Sequence, residues 1–131
     1  LGAAYYIDSQ ASDPAKELAK LGGAQAILAT VTSGSAMAAT IGGLAPLGRL
    51  MVLGASDEAI AASSVALLSA RRAIEGWYSG TSIDAEETLA FSSEAGVQSM
   101  NEFCPLERAA DALERMLSGK ARFRVVLTMD S

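Results

Sequence analysis

The stretch from Ala24 to Ala55 decides how this chain folds. It opens on an apolar run, Ala26-Ile27-Leu28-Ala29, followed by hydroxyls and a glycine, Thr30-Val31-Thr32-Ser33-Gly34-Ser35. An alanine-rich helical segment comes next, then Pro46-Leu47-Gly48, then a second apolar run, Leu50-Met51-Val52-Leu53, closing on Gly54-Ala55-Ser56. The order is strand, small-residue loop, helix, turn, strand. The runs are continuously apolar rather than alternating, which implies burial on both faces, as in parallel sheets. Two strands joined by one helix pair in parallel, through a crossover that is almost always right-handed. Both strands end in residues small enough to let a ligand reach the backbone. In open parallel sheets that edge is where ligands bind.

The alternation continues on either side. Ala4-Tyr5-Tyr6-Ile7 reads as a short strand. Asp13 and Pro14 open a helix as N-cap and first helical residue, and Gly22-Gly23 stops it after about Leu21. The next strand spans Ala24–Ala29. Ser33 or Ser35 caps the following helix, in which Met37, Ile41 and Leu44 share one face. Gly42-Gly43 weakens that helix, Pro46 stops it, and the strand Arg49–Leu53 follows. Ser56 to Ala70 is ambiguous: Ser56-Asp57-Glu58 resembles a helix start, and Ile60, Ser64, Leu67 and Leu68 have helical spacing. Ala73–Trp77 reads as another strand. Thr81-x-x-Asp84 forms a capping box for a helix to about Glu94. Pro105 and Gly119 bound the last helix, with Leu106, Ala109, Ala110, Leu113, Met116 and Leu117 as its apolar stripe. Arg122–Thr128 is the final strand. The fold class is α/β.

Composition narrows the function. The chain has 131 residues, enough for one core. Half of them are apolar but only 5% are aromatic, which suits close helix–sheet packing. A net charge of −5 argues against a nucleic-acid binder, which needs basic clusters to neutralise phosphate. Basic residues gather only at Arg71-Arg72 and Lys120–Arg124, leaving room for a small anion site. No apolar run approaches the ~20 residues of a membrane span. The single Cys104 allows no internal disulfide and suits a reducing, cytoplasmic compartment. Histidine is absent, so neither a Cys/His zinc site nor a Ser-His-Asp triad can be built from this stretch.

Three places carry candidate chemistry. Thr30-Val31-Thr32 and Leu53-Gly54-Ala55 end adjacent strands, either as a groove for a flat ligand or as ordinary strand-to-helix turns. Arg122 and Arg124 share one strand face, where a guanidinium can clamp a pyrophosphate or simply meet solvent at an edge. Ala73–Trp77 is an apolar edge that invites pairing with another chain, unless the last helix covers it. The glycines do not form G-x-G-x-x-G, so the dinucleotide fingerprint is absent here. Leu1-Gly2-Ala3 reads as a last helical turn with a glycine cap, and the expectation is a fragment with more chain before it.

In series, Leu1-Gly2-Ala3 … Tyr6-Ile7-Asp8, Gly23–Thr30, Leu44–Gly54, Ile74-Glu75-Gly76 … Gly80-Thr81 and Gly119–Leu127 resemble the zinc-dependent alcohol dehydrogenases of the medium-chain dehydrogenase/reductase family. The resemblance covers essentially the whole chain. It implies one partial Rossmann-type domain over residues 1–131, a parallel sheet lacking its first two strands. It also implies hydride transfer between an alcohol or aldehyde and NAD or NADP in the parent protein, with zinc ligands and the catalytic domain outside this chain. These 131 residues alone are expected to be inactive.

The same resemblance assigns the residues. Thr30, Val31 and Thr32 line the nicotinamide-side ribose, and Leu53, Gly54 and Ala55 present backbone to the carboxamide. Arg124, in a G-x-x-x-x-R-V-V-L pattern, reaches the pyrophosphate. The edge Ala73–Trp77 makes a homo-oligomer. The stretch Ala59–Leu67 becomes largely extended. In the strand order 3-2-1-4-5-6, Ala4–Ile7 is third and loses its neighbour, so it is expected to move beside Ala24–Ala29 or pair across a partner. Two other readings stand beside this one. One is a non-enzymatic α/β module that oligomerises through strand edges; the other is a zinc-free quinone or enoyl reductase.

Overall fold

The computed structural model describes residues 2–129, and Leu1 of the expected helix end lies outside them. The chain divides into two compact units, Leu1–Ser79 and Gly80–Ser131.

The first unit begins with α1 (Pro14–Lys20). Asp13 caps it: Oδ1 accepts the N–H groups of Ala15 and Lys16 at 3.0 and 3.2 Å. Its last turn closes when the Gly23 N–H donates to the Leu18 carbonyl at 2.9 Å. Then come β1 (Ala24–Ala29), α2 (Gly34–Ala38), β2 (Leu44–Val52), α3 (Ser64–Leu68) and β3 (Ala73–Gly76). The three strands form one parallel sheet in the order β1-β2-β3. This is the adjacency expected of strands four, five and six. Met37, Ile41, Leu44 and Leu50 are buried together with Ala29, and Ile27, Val52, Leu67 and Ile74 pack on them. The helix-face residues Met37, Ile41 and Leu44 therefore do reach one core, although α2 ends at Ala38 and a short 3₁₀ turn, Ile41–Gly43, carries the chain on.

Four expectations change. Ala4–Ile7 is no strand; Tyr6 is 89% exposed, and the segment pairs with no strand among the described residues. Its proposed move beside β1 does not occur. A strand of four residues has no stability without a ladder partner, and β1 leaves its outer edge unpaired among the described residues. Next, β2 begins at Leu44, well before Arg49. Pro46-Leu47-Gly48 is a bulge within it, since the register passes from Ala24↔Leu44 to Ala26↔Arg49. A proline is tolerated there because the bulge asks no ladder N–H of it. Third, the ambiguous stretch splits: residues 59–63 are not helical, while Ser64–Leu68 is α3. Fourth, the guanidinium of Arg72 donates to the carbonyls of Leu44, Ala66 and Gly42, so it serves as a tie between backbone segments.

The second unit holds α4 (Ser82–Glu94), β4 (Asn101–Pro105), α5 (Ala109–Leu117) and β5 (Arg124–Thr128). The capping box forms as read, with Thr81 and Asp84 each bonding the other's backbone N–H. β4 was not anticipated. It pairs in parallel with β5, and the two make a separate two-stranded sheet. β5 starts at Arg124, so Arg122 precedes the strand. On α5 the expected apolar stripe is not the packed face. Ala112 is buried, and Arg108, Asp111 and Arg115 join it in lining a cavity of about 220 Å³ against β4 and Val125. Leu113, Met116 and Leu117 stay exposed.

Candidate strand-end groove

The groove forms where β1 and β2 end side by side. Ala29 is opposite Val52 in the ladder. Beyond that pair, the Ala29 carbonyl accepts two N–H groups, from Leu53 at 3.0 Å and Gly54 at 2.9 Å. One oxygen thus turns both chains at the same level. Gly54 then lies against the Thr30–Val31 backbone. A Cβ on Gly54 would run into the Val31 carbonyl oxygen and stand 2.9 Å from that of Thr30. Any side chain here would collide with backbone, which has nowhere to move. The structure therefore brings Thr30, Val31, Leu53 and Gly54 together. Thr32 and Ala55 flank them as exposed residues.

Val31 connects two hollows. One, of about 210 Å³, is mostly apolar and runs along Ile27, Ala29 and Met37. The other, of about 580 Å³, is rimmed by Ser9, Gln10, Ser33 and Ser35. Both offer hydroxyl, methyl and backbone groups, the second adds the Gln10 amide, and neither has a cation among its lining residues. Such a surface suits a neutral, flat, amide-bearing ligand better than a phosphate.

The residue missed by sequence reasoning is Glu58. Its Oε2 accepts the Gly34 N–H at 2.8 Å and the Ser33 hydroxyl at 3.0 Å, and its Oε1 accepts the Ser35 N–H at 3.0 Å. The hydroxyls of Ser35 first and Ser33 next, with the Ser35 and Gly34 N–H groups behind them, hold its carboxyl below the usual carboxylate range. The donors at the start of α2 are therefore satisfied from within the protein. The available signal was Ser56-Asp57-Glu58, which reads as a helix start. The Ser56 hydroxyl instead accepts the Glu58 N–H at 3.1 Å and turns the loop.

Arg124 belongs to the second unit. It opens β5 opposite Asn101, its N–H donates to the Met100 carbonyl at 3.2 Å, and the residue is exposed. Arg122 points its guanidinium back to the carbonyls of Gly119 and Ala121 and lies over the Phe123 ring. Glu102 accepts Arg115 at 2.8 and 3.0 Å and the Arg122 N–H at 2.8 Å. The Arg115 bond first, then the Arg122 N–H, lowers its pKa to about 2. Cys104 is a half-buried free thiol whose Sγ approaches the Arg108 carbonyl at 3.6 Å. Among the described residues no three His, Cys, Asp or Glu side chains gather to hold a metal ion. No helix among them is long and apolar enough to cross a membrane.

A parallel sheet with helical crossovers, and a groove at the carboxyl ends of its strands, defines an α/β protein of the Rossmann kind. Solved structures share this fold. The alcohol dehydrogenase of the archaeon Aeropyrum pernix superposes with a TM-score of 0.86 at 24% identity, over 98% of this chain and 38% of that one. An alcohol dehydrogenase zinc-binding domain protein from Burkholderia ambifaria gives 0.87 at 22% identity, over 99% and 37%.

The chain belongs to the zinc-binding dehydrogenase family, whose family model matches residues 1–94. Among its curated relatives, alcohol dehydrogenase notN of an Aspergillus species is 41% identical over 130 residues, 99% of this chain and 38% of that protein. Alcohol dehydrogenase patD of Penicillium expansum is 35% identical over 129 residues, 98% and 38% respectively. The chain spans less than two fifths of the length of these relatives. The resemblance to zinc-type alcohol dehydrogenases is thus borne out, and the findings do not favour the interaction module or the zinc-free reductase.

Proposed function

We propose that residues 1–131 are part of the cofactor-binding domain of a cytoplasmic NAD(P)-dependent alcohol dehydrogenase. The observation that carries the reading is Gly54, whose bare Cα packs on the Thr30–Val31 backbone at the carboxyl end of the parallel sheet. A groove floored by backbone can lie flat against a planar carboxamide ring, and the residues present fit that group. NAD or NADP, when bound, supplies the hydride acceptor for oxidation of an alcohol to its aldehyde.

This chain's own residues bind and orient. Thr30, Val31 and Thr32 form one wall, at the ribose on the nicotinamide side. Leu53, Gly54 and Ala55 form the other and present backbone to the carboxamide. Val31 and Leu53 exclude water from the ring's face. Arg124, in the second unit, is assigned the pyrophosphate through the G-x-x-x-x-R-V-V-L pattern, with a guanidinium suited to phosphate oxygens. Family membership implies zinc in the parent protein, but the residues described here do not fit a zinc ion, so its ligands belong elsewhere in that protein. The exposed edge of the sheet at Ala73–Trp77 is assigned to a homo-oligomer, since an unpaired apolar edge favours strand pairing.

The full-length protein tests this directly. Purified with zinc and offered primary alcohols, it should form reduced nicotinamide with NAD or NADP. Residues 1–131 alone should bind either cofactor weakly and turn over nothing. A full-length protein that leaves both cofactors unreduced across aliphatic and benzylic alcohols overturns the reading. So does micromolar cofactor affinity in the isolated chain, measured by calorimetry, because it would place a complete site within these residues.

A further inference from the structure

Two loops follow β1 and β2, and a single side chain fastens one to the other. Glu58 reaches from the second loop to Ser33, Gly34 and Ser35 in the first through three hydrogen bonds of 2.8 to 3.0 Å. The backbones close together behind it: a Cβ on Gly34 would stand 2.5 Å from the Glu58 carbonyl oxygen and 2.6 Å from that of Ala59. The same two loops also meet at Gly54 and Val31. The span from Gly54 to Ala59 is therefore pinned to the span from Thr30 to Ser35 at both ends. At one end the pin is steric contact between backbones. At the other it is a carboxylate facing three donors.

The chemistry of the second pin is specific. All three partners donate: two backbone N–H groups and a hydroxyl that itself accepts the Ala36 N–H at 3.3 Å. A carboxylate is the side chain with two acceptor oxygens and no proton to turn the wrong way. A glutamine would present its NH2 to a donor on one side. An alanine would leave the Gly34 and Ser35 N–H groups to water and free the loop.

We propose that Glu58 is a positioning residue for the cofactor: its carboxylate sets the spacing between the strand ends Thr30–Thr32 and Leu53–Ala55 without touching a reacting atom. The inference rests on the dinucleotide reading above. It goes beyond that reading by assigning the width of the groove to a residue outside it.

The test uses the full-length enzyme with Glu58→Ala and Glu58→Gln, and reads KM for cofactor, KM for alcohol, kcat and the thermal midpoint. A groove that loses its spacing should raise cofactor KM roughly tenfold in the alanine variant and less in the glutamine variant. Alcohol KM, kcat at saturating cofactor and the thermal midpoint should stay close to wild type. Cofactor KM within about twofold of wild type in the alanine variant overturns the proposal. A parallel loss of every parameter, or failure of both variants to fold, also overturns it, because that is the signature of a purely structural contact. If the wild-type enzyme itself fails to bind NAD or NADP, the dinucleotide reading falls and takes this inference with it. If wild type binds and Glu58→Ala binds equally well, the inference alone falls.

Discussion

The unit ending at Ser79 buries Met37, Ile41, Leu44 and Leu50 beside a three-stranded parallel sheet. The unit beginning at Gly80 pairs β4 with β5 and leaves Phe103, Phe123, Met116 and Leu117 exposed. Its buried apolar residues among those described are Ala112 and Ala121, which remove little surface from water. What ties its elements is polar: the Glu102 carboxylate gathers Arg115 from α5 and the N–H of Arg122 ahead of β5. Parallel strands ordinarily need both faces covered, and two strands alone are marginal. The first unit thus stands on apolar burial and the second on backbone pairing and charge. Substitutions in the two should obey different rules.

The largest effect falls in the first core. Leu50 has 0% exposure, and Leu50→Ala should cost about 2–5 kcal/mol of unfolding free energy. Urea denaturation followed by circular dichroism reads this, with Leu117→Ala as the companion. Leu117 is 73% exposed, and its truncation should stay within about 0.5 kcal/mol. Equal losses at the two positions would erase the contrast between the units. Gly54→Ala comes next, at about 1–3 kcal/mol, because its methyl would collide with the Val31 carbonyl. The same variant in the full-length enzyme should weaken cofactor binding, and unchanged affinity by fluorescence titration would count against the groove.

Thr81→Ala removes one half of the capping box and should cost about 1 kcal/mol, seen as lost helicity in α4. The smallest effect is electrostatic. Glu102 has its pKa lowered from the ordinary 4.5 to about 2. A depressed carboxyl stabilises the fold above its unfolded pKa. That contribution fades as pH falls from about 4.5 through about 2, where the folded state is finally protonated. The pair with Arg115 is partly exposed, so screening by salt keeps its contribution small. An NMR titration of the Glu102 carboxyl with a midpoint near 4.5 would show the network to be absent in solution.

Sequence legibility followed the same division. In the first unit, continuous apolar runs at Ile27-Leu28-Ala29 and Leu50-Met51-Val52 announced β1 and β2, although the burial on both faces that such runs imply is not met in β1, where Leu28 is 67% exposed. Asp13-Pro14 and Thr81-x-x-Asp84 announced helix starts because caps are local chemistry. β4 was illegible: Asn101-Glu102-Phe103-Cys104-Pro105 mixes polar and apolar residues, and only pairing with β5 makes it a strand. The α5 stripe misled for a related reason. Its packed side is chosen by the Arg115–Glu102 pair and the buried Ala112, which periodicity in hydrophobicity does not see. At the groove, Thr30, Val31, Leu53 and Gly54 were readable as small strand ends, whereas Glu58 acts at 23 to 25 positions' separation in the chain. Contacts between distant loops leave no local pattern.

The bare Cα of Gly54 also constrains how this groove can diversify. A position at which even a methyl strikes backbone takes a side chain only at a cost in stability, however the ligand changes. Its neighbours Leu53 and Ala55 face solvent at the same rim and have no such restriction. Selection for a new substrate or cofactor must therefore work through the flanks while the centre stays fixed. A library built on this chain would do well to randomise those two positions and leave the glycine alone.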